Sequence, residues 1–69
     1  SETQDGGRFI VLEDGSLWEV DALDRIDTML WLPVTDVVVV LNDDGSGFPY
    51  ILINKDDDET ARARFLGME

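Results

Sequence analysis

The chain has 69 residues, and 5 Lys and Arg stand against 16 Asp and Glu, so its formal net charge at pH 7 is −11. It contains neither His nor Cys, which excludes the commonest general base, thiolate nucleophiles, disulfides and Cys-based zinc sites. The acidic balance argues against binding to phosphate backbones or anionic lipid, because both are bound through Lys and Arg. We therefore expect no enzymatic activity, no cofactor, no nucleic-acid partner and no membrane partner.

The composition nevertheless predicts a folded chain. Hydrophobic residues make up 43% of the sequence, and they occur in clustered and alternating runs rather than dispersed as in disordered proteins. The length allows one domain. We expect a disordered N-terminal tail over residues 1–7, a single domain over residues 8–66 and a short C-terminal tail over residues 67–69.

The first ordered element is predicted to be a hairpin. Phe9 to Leu12 and Leu17 to Val20 are rich in strand-forming residues, and Asp14-Gly15 lies between them. This dipeptide favours a type I′ turn, in which both central residues have positive φ. A helical turn capped by Asp21 is predicted next, within a long and partly ordered connection that runs to Pro33 and folds back over the barrel.

Three more strands follow in the sequence. Val34 to Leu41 contains five Val and a Leu, which makes it the strongest strand pattern of the chain. Its partner is Tyr50 to Asn54. Thr60 to Leu66 alternates small or apolar residues with Arg, so Ala61, Ala63 and Phe65 are expected to face in, and Arg62 and Arg64 to face out. Five short strands in about sixty residues expose two edges or curl up. The predicted fold is therefore all-β, a small five-stranded SH3-like barrel with the long connection between strands 2 and 3.

The motifs also resemble those of a family of small, uncharacterised bacterial proteins. The shared patterns are an LxDGSxWEV hairpin at residues 12–20, a WLP step at residues 31–33 and a LIN-x-D-x-x-ET-type hairpin that begins at Leu52. This resemblance implies an SH3-like barrel without established activity. Many such proteins are exported, so it also implies an exported protein whose signal segment is not part of this chain.

Aromatic and proline residues suggest a peptide-binding groove. We take Trp31, Tyr50, Pro33 and Pro49 as candidate groove residues, because SH3-like domains bind extended peptides with such side chains. An acidic surface around them would suit a basic or proline-rich peptide. The alternative is that both Trp residues are in the core, and this alternative is favoured for Trp18.

Self-assembly is a second interpretation. If Val38 and Val40 lie outside a small barrel, they form an apolar stripe that a second subunit could cover. Arg62 and Arg64 would then be cations available to pair with acids across the interface.

Two further alternatives follow from the acids. Asn54, Asp56 and Asp58 have the spacing of the first three ligands of an EF-hand loop, but Glu59 stands where that loop needs Gly and Phe65 where it needs Glu. No metal site is therefore favoured. A compact domain of charge −11 could also inhibit a nucleic-acid-binding protein by mimicking its ligand. The favoured function is a non-catalytic protein-binding or self-assembling module.

Overall fold

The strand-forming segments pair into one antiparallel sheet in the computed structural model, which describes residues 2–31 and 36–69. The described strands are β1 (Glu2–Gln4), β2 (Phe9–Val11), β3 (Ser16–Val20), β4 (Val37–Leu41), β5 (Tyr50–Asn54) and β6 (Glu59–Met68). Their order in the sheet is β1-β2-β3-β6-β5-β4. The all-β prediction is confirmed, and the sheet has six strands in an open order rather than the five of the predicted barrel.

The additional strand is β1, in a segment predicted to be a disordered tail. It pairs with β2 in the register Thr3↔Ile10. The chain reverses between these strands through residues with positive φ, at Asp5, Gly6 and Gly7. At the other end, Gly67 and Met68 belong to β6 rather than to a C-terminal tail.

The predicted hairpin between β2 and β3 is present, but its predicted turn type is wrong. Only Gly15 has a positive φ, at 86°, and Asp14 does not. The N–H of Gly15 donates to the carbonyl of Leu12, and the N–H of Leu12 donates to the carbonyl of Ser16. These bonds close a three-residue loop that ends in one left-handed Gly, the second common hairpin connection.

The long strand β6 is shared by two parts of the sheet. Its first residues, up to Ala63, pair with β5, and its last residues, from Ala63 onward, pair with β3. Ala63 lies opposite both Val20 and Tyr50. The core lies on the inner side of these pairings and consists of Ile10, Trp18, Val20, Trp31, Leu52, Ala61 and Ala63. Burial of Ala61 and Ala63 agrees with the predicted alternation along this strand, but Phe65, which is predicted to face in as well, is 46% exposed.

A helical segment connects β3 to the region before β4, as predicted. It consists of a 3₁₀ turn (Ala22–Asp24) and α1 (Arg25–Thr28), and the Asp21 carboxylate accepts from the N–H of Leu23. Polar contacts hold this segment, because the Thr28 hydroxyl donates to the carbonyl of Gly7 and the Arg25 Nε donates to the carbonyl of Val20. No helix within residues 2–31 and 36–69 is long and apolar enough to cross a membrane.

Candidate functional site at the edge strand β4

Strand β4 is the last strand of the sheet and pairs only with β5 among the described strands. The N–H of Lys55 donates to the carbonyl of Asp36, and the N–H of Asn42 donates to the carbonyl of Pro49. Since hydrogen-bonded pairs alternate along an antiparallel ladder, the residues between them that bond to β5 are Val38 and Val40. The backbone N–H and C=O groups of Val37, Val39 and Leu41 therefore point away from the sheet.

The side chains of β4 leave this edge apolar and accessible. Val38 and Val40 are each 38% exposed, and Leu41 is 80% exposed. Val38 lies opposite Ile53, and Val40 lies opposite Ile51. We call the four residues Val38, Val40, Ile51 and Ile53 the outer aliphatic face. The self-assembly interpretation depends on the condition that Val38 and Val40 lie outside, and their exposure meets that condition.

Within residues 2–31 and 36–69, strand β4 also lacks the usual protection of an edge. Natural edge strands are commonly short, charged, interrupted by Pro or covered. Strand β1, at the opposite edge, is three residues long and polar in sequence. Strand β4 is five residues long with the sequence VVVVL, in a chain of which 30% is charged. An exposed, uncharged edge of this kind can accept a further strand.

The predicted aromatic groove is not assembled as predicted. Trp31 is 4% exposed, and its indole N–H donates to Glu59 Oε1 at 2.9 Å, so it is a core residue. Tyr50 is half-buried and makes an edge contact with the Trp18 ring, with centroids 5.2 Å apart. Pro49 is exposed, and Pro33 lies outside the described residues. Because Trp31 is buried, it cannot line a surface groove with Tyr50 and Pro49.

The two cations proposed for an interface are paired within the chain. Arg62 Nε lies 2.9 Å from Asp44 Oδ2, and its Nη1 lies 3.3 Å from Asp21 Oδ2. Arg64 Nη2 lies 2.7 Å from Glu19 Oε1. The first prediction about these residues, that they face outward, agrees with their partial exposure. The second, that they are free to meet a partner's acids, does not, because three acids of the same chain already hold them.

Hydrogen bonds around these pairs further stabilise the ionised forms of Glu19, Arg62 and Asp44. The hydrogen bond from Arg64, with a smaller one from Arg8, holds the pKa of Glu19 below its ordinary value. Asp21 raises the pKa of Arg62. The hydroxyl and backbone N–H of Ser46 lower the pKa of Asp44 to about 2.

The three residues with EF-hand spacing, Asn54, Asp56 and Asp58, lie at the β5–β6 turn and contribute to its structure. Asn54 is fully buried, and its Oδ1 accepts from the N–H groups of Asp56 at 3.0 Å and Asp57 at 3.2 Å. Asp56 Oδ2 accepts from the N–H of Asp36 at 3.1 Å, and Asp58 adopts a left-handed turn conformation with φ 56°. The Asn54 oxygen thus caps the β5–β6 turn. Within the part of the chain that the structure describes, no three acidic side chains are grouped to hold a metal ion.

A shallow cleft lies in the loop between β4 and β5. Its volume is about 450 Å³, and its lining includes Asp43, Ser46, Phe48 and Pro49. The guanidinium of Arg64 lies over the Phe48 ring, 5.0 Å from its centroid. The cleft is formed by one loop and presents few polar groups that converge on a ligand, so it is less developed as a site than the β4 edge.

Sequence reasoning misses two features of the surface. The outward backbone groups of β4 follow only from its position at the edge and from the ladder's alternation. The apolar side chains of the helical segment are expected to pack back over the barrel, but Leu23, Ile26 and Leu30 are largely exposed. The anchors Thr28 and Trp31, on the same segment, are the residues that turn inward.

No family model, no curated protein and no solved structure matches the chain. What the domain does must therefore be argued from its own residues and contacts.

Proposed function

We propose that this domain is a non-catalytic protein-binding module that accepts an extended strand of a partner at the edge of β4. The observation that carries the proposal is the edge itself: Val37, Val39 and Leu41 present their backbone groups outward on a strand without a charge. Main-chain hydrogen bonds to such an edge supply affinity, and alternate side chains supply specificity. The outer aliphatic face gives the incoming strand apolar neighbours on one side of the sheet.

The framework of this module is proposed to be a small barrel of SH3-like type. Support comes from β6, because one strand that pairs with β3 over one half and β5 over the other bends the sheet around a single core. A bent framework of this kind positions β4 at a rigid edge, which suits the binding of a partner strand.

Three carboxyls of the chain are suited to structural roles rather than to general acid catalysis. A general acid working near neutral pH needs a carboxyl whose pKa is raised by burial or by another acid. The carboxyls of Asp14, Glu19 and Asp44 instead have a lowered pKa, because hydrogen bonds stabilise their ionised forms. They act as turn caps and ion-pair partners.

The test uses amide hydrogen exchange, measured by NMR on the whole chain. The probe is a synthetic peptide of alternating Thr and Val flanked by Lys, which can extend as a strand and is attracted by the acidic chain. We expect it to slow exchange at the N–H groups of Val37, Val39 and Leu41. Val38 and Val40 are the internal control, because their N–H groups are already bonded to β5.

A variant pair checks the location of binding. Val40→Lys puts a charge on the edge strand, whereas Ile26→Lys adds the same charge on the exposed helical segment. We expect Val40→Lys to weaken the protection and Ile26→Lys to leave it intact. With the chain kept dilute enough to be monomeric, unchanged exchange at the three outward amides at millimolar peptide, or protection confined to other residues, would refute the proposal.

A further inference from the structure

The outward backbone groups of β4 are self-complementary. In an antiparallel pair of two β4 strands centred on Val39, each Val39 lies opposite its counterpart, and each Val37 lies opposite the other copy's Leu41. The residues brought together in this register are the ones whose N–H and C=O groups point outward. A register shifted to either side leaves outward groups of Val37 or Leu41 without a partner, so the centred pairing is the one that satisfies them all.

We infer that the strand accepted at the β4 edge is the β4 of a second copy of this chain, paired antiparallel about a two-fold axis at Val39. This inference rests on the proposed function, and it names the partner. It also fits the general preference of homo-oligomers for two-fold interfaces in which one patch meets itself.

The outer aliphatic face becomes continuous across this contact. In the centred register Val38 of one copy lies opposite Val40 of the other. Each copy already sets Ile53 beside Val38 and Ile51 beside Val40. Two rows of four branched aliphatic side chains would therefore cross the joined sheets, and cross-strand pairs of this kind stabilise sheets.

The charges flanking β4 are compatible with a second copy. In the centred register Asp36 of one strand lies opposite Asn42 of the other, so a carboxylate meets a carboxamide rather than a second carboxylate. The strand itself is uncharged. The repulsion between two chains of charge −11 is therefore long-range, and salt screens it. The Debye length falls from about 10 Å at 0.1 M salt to about 3 Å at 1 M.

Salt dependence separates a second copy from a basic peptide. Association of two acidic chains becomes tighter as salt increases, whereas capture of a basic peptide becomes weaker. A contact made by five-residue strands is also smaller than the roughly 1,200–2,000 Å² of stable interfaces. We therefore expect reversible dimers at high micromolar to millimolar concentration.

The experiment is sedimentation equilibrium of the whole chain over a concentration series at low and high salt. We expect a monomer–dimer equilibrium whose dissociation constant falls as salt rises. Val40→Lys should raise that constant by about tenfold, since it alters two cross-strand pairs per dimer. The matched variant Ile26→Lys adds the same charge away from the edge and should not raise it.

Two further variants test the register and guard against misfolding. Leu41→Pro removes an outward N–H that β5 does not use, and Pro is tolerated at such edge positions. We therefore expect this variant to fold and to remain a monomer. A mixture of Val38→Glu with Val40→Lys should form mixed dimers about tenfold tighter than either variant alone, because these positions meet in the centred register. A mixture of Val38→Glu with Ile26→Lys should not show this rescue.

The outcomes separate this inference from the proposed function. A chain that stays monomeric at millimolar concentration in high salt overturns the second copy, while peptide protection of Val37, Val39 and Leu41 would leave the proposed function standing. Dimers that survive Val40→Lys and Leu41→Pro but are lost in Ile26→Lys also overturn it, since the interface would then be the helical segment. Absence of both dimers and peptide protection refutes the two together.

Discussion

Gly7 is predicted to be the least replaceable glycine of the fold. It has φ +89°, and a Cβ added there would lie 2.5 Å from the carbonyl oxygen of Arg25 and 2.6 Å from the backbone nitrogen of Met29. It would also lie 2.7 Å from the Thr28 hydroxyl, which donates to the carbonyl of Gly7. The substitution Gly7→Ala therefore strains the backbone and pushes α1 away from the β1–β2 turn.

Gly6→Ala is the matched control for the stability that Gly7→Ala is expected to lose. Gly6 also has a left-handed φ, +64°, but a Cβ added there would meet nothing within 4 Å. Gly6→Ala should then cost only the left-handed conformation, about 1 kcal/mol. Gly7→Ala adds overpacking against fixed backbone atoms, typically about 1–3 kcal/mol. The total of about 2–4 kcal/mol approaches the roughly 3–5 kcal/mol that a core of this size provides.

Urea denaturation of the two variants, followed by tryptophan fluorescence, measures the difference. The loss of unfolded-state freedom on replacing Gly by Ala is common to both variants, so it cancels in their comparison. We expect Gly6→Ala to keep a cooperative transition and Gly7→Ala to be unfolded or nearly so without denaturant. Equal midpoints for the two variants would show that the close contact of Gly7 with α1 does not contribute to stability.

Two other variants test the turns. Asn54→Ala removes the buried acceptor of the Asp56 and Asp57 N–H groups, so it should lower the free energy of unfolding by about 1–3 kcal/mol. Urea denaturation measures this loss, and an unchanged midpoint would contradict the role of Asn54 as a cap. The pKa of Asp44 falls from 3.8 to about 2 on folding, so its stabilisation is present above about pH 4 and is lost as pH falls towards 2. Thermal melting between these pH values should therefore show less acid destabilisation for Asp44→Asn than for Asp43→Asn, which removes an equal formal charge; identical profiles would contradict the assignment.

The elements that the sequence predicts best are those whose pattern is local. Tyr50 to Asn54 is predicted with the bounds that the structure shows, because a short apolar run lies between clear turn residues. The alternation at Ala61 and Ala63 also identifies which side of β6 faces the core. In both cases the two-residue period of a strand is visible directly in the sequence.

Elements that depend on distant partners are not predictable in this way. Strand β1 is polar in sequence and is defined by its pairing with β2. The helical segment carries Leu and Ile at helical spacing, yet Thr28 and Trp31 decide its orientation through bonds to Gly7 and Glu59. Side-chain spacing within one segment cannot reveal such contacts.

The same limit applies to the candidate site. The exposure of Val38 and Val40 can be predicted from alternation, but the open side of β4 depends on strand order and on the phase of its hydrogen bonds with β5. Arg62 and Arg64 illustrate the converse, because acids distant in the sequence neutralise them. A charged residue in an outward position is therefore not evidence of a free charge until its long-range neighbours are known.

The distribution of charge and the short β1 edge are expected to stop the proposed assembly at the dimer. Pairing through β4 uses the apolar edge of both copies, and it leaves the two short β1 edges at the ends of the joined sheet. A strand of three residues offers little for a further copy to pair with. At low salt, each additional chain would also approach a dimer that carries twice the negative charge of a single chain, whereas at high salt the short β1 edge alone limits growth. The same sequence that permits one edge contact thus opposes extended, fibre-like growth, so salt should promote dimers without promoting larger aggregates.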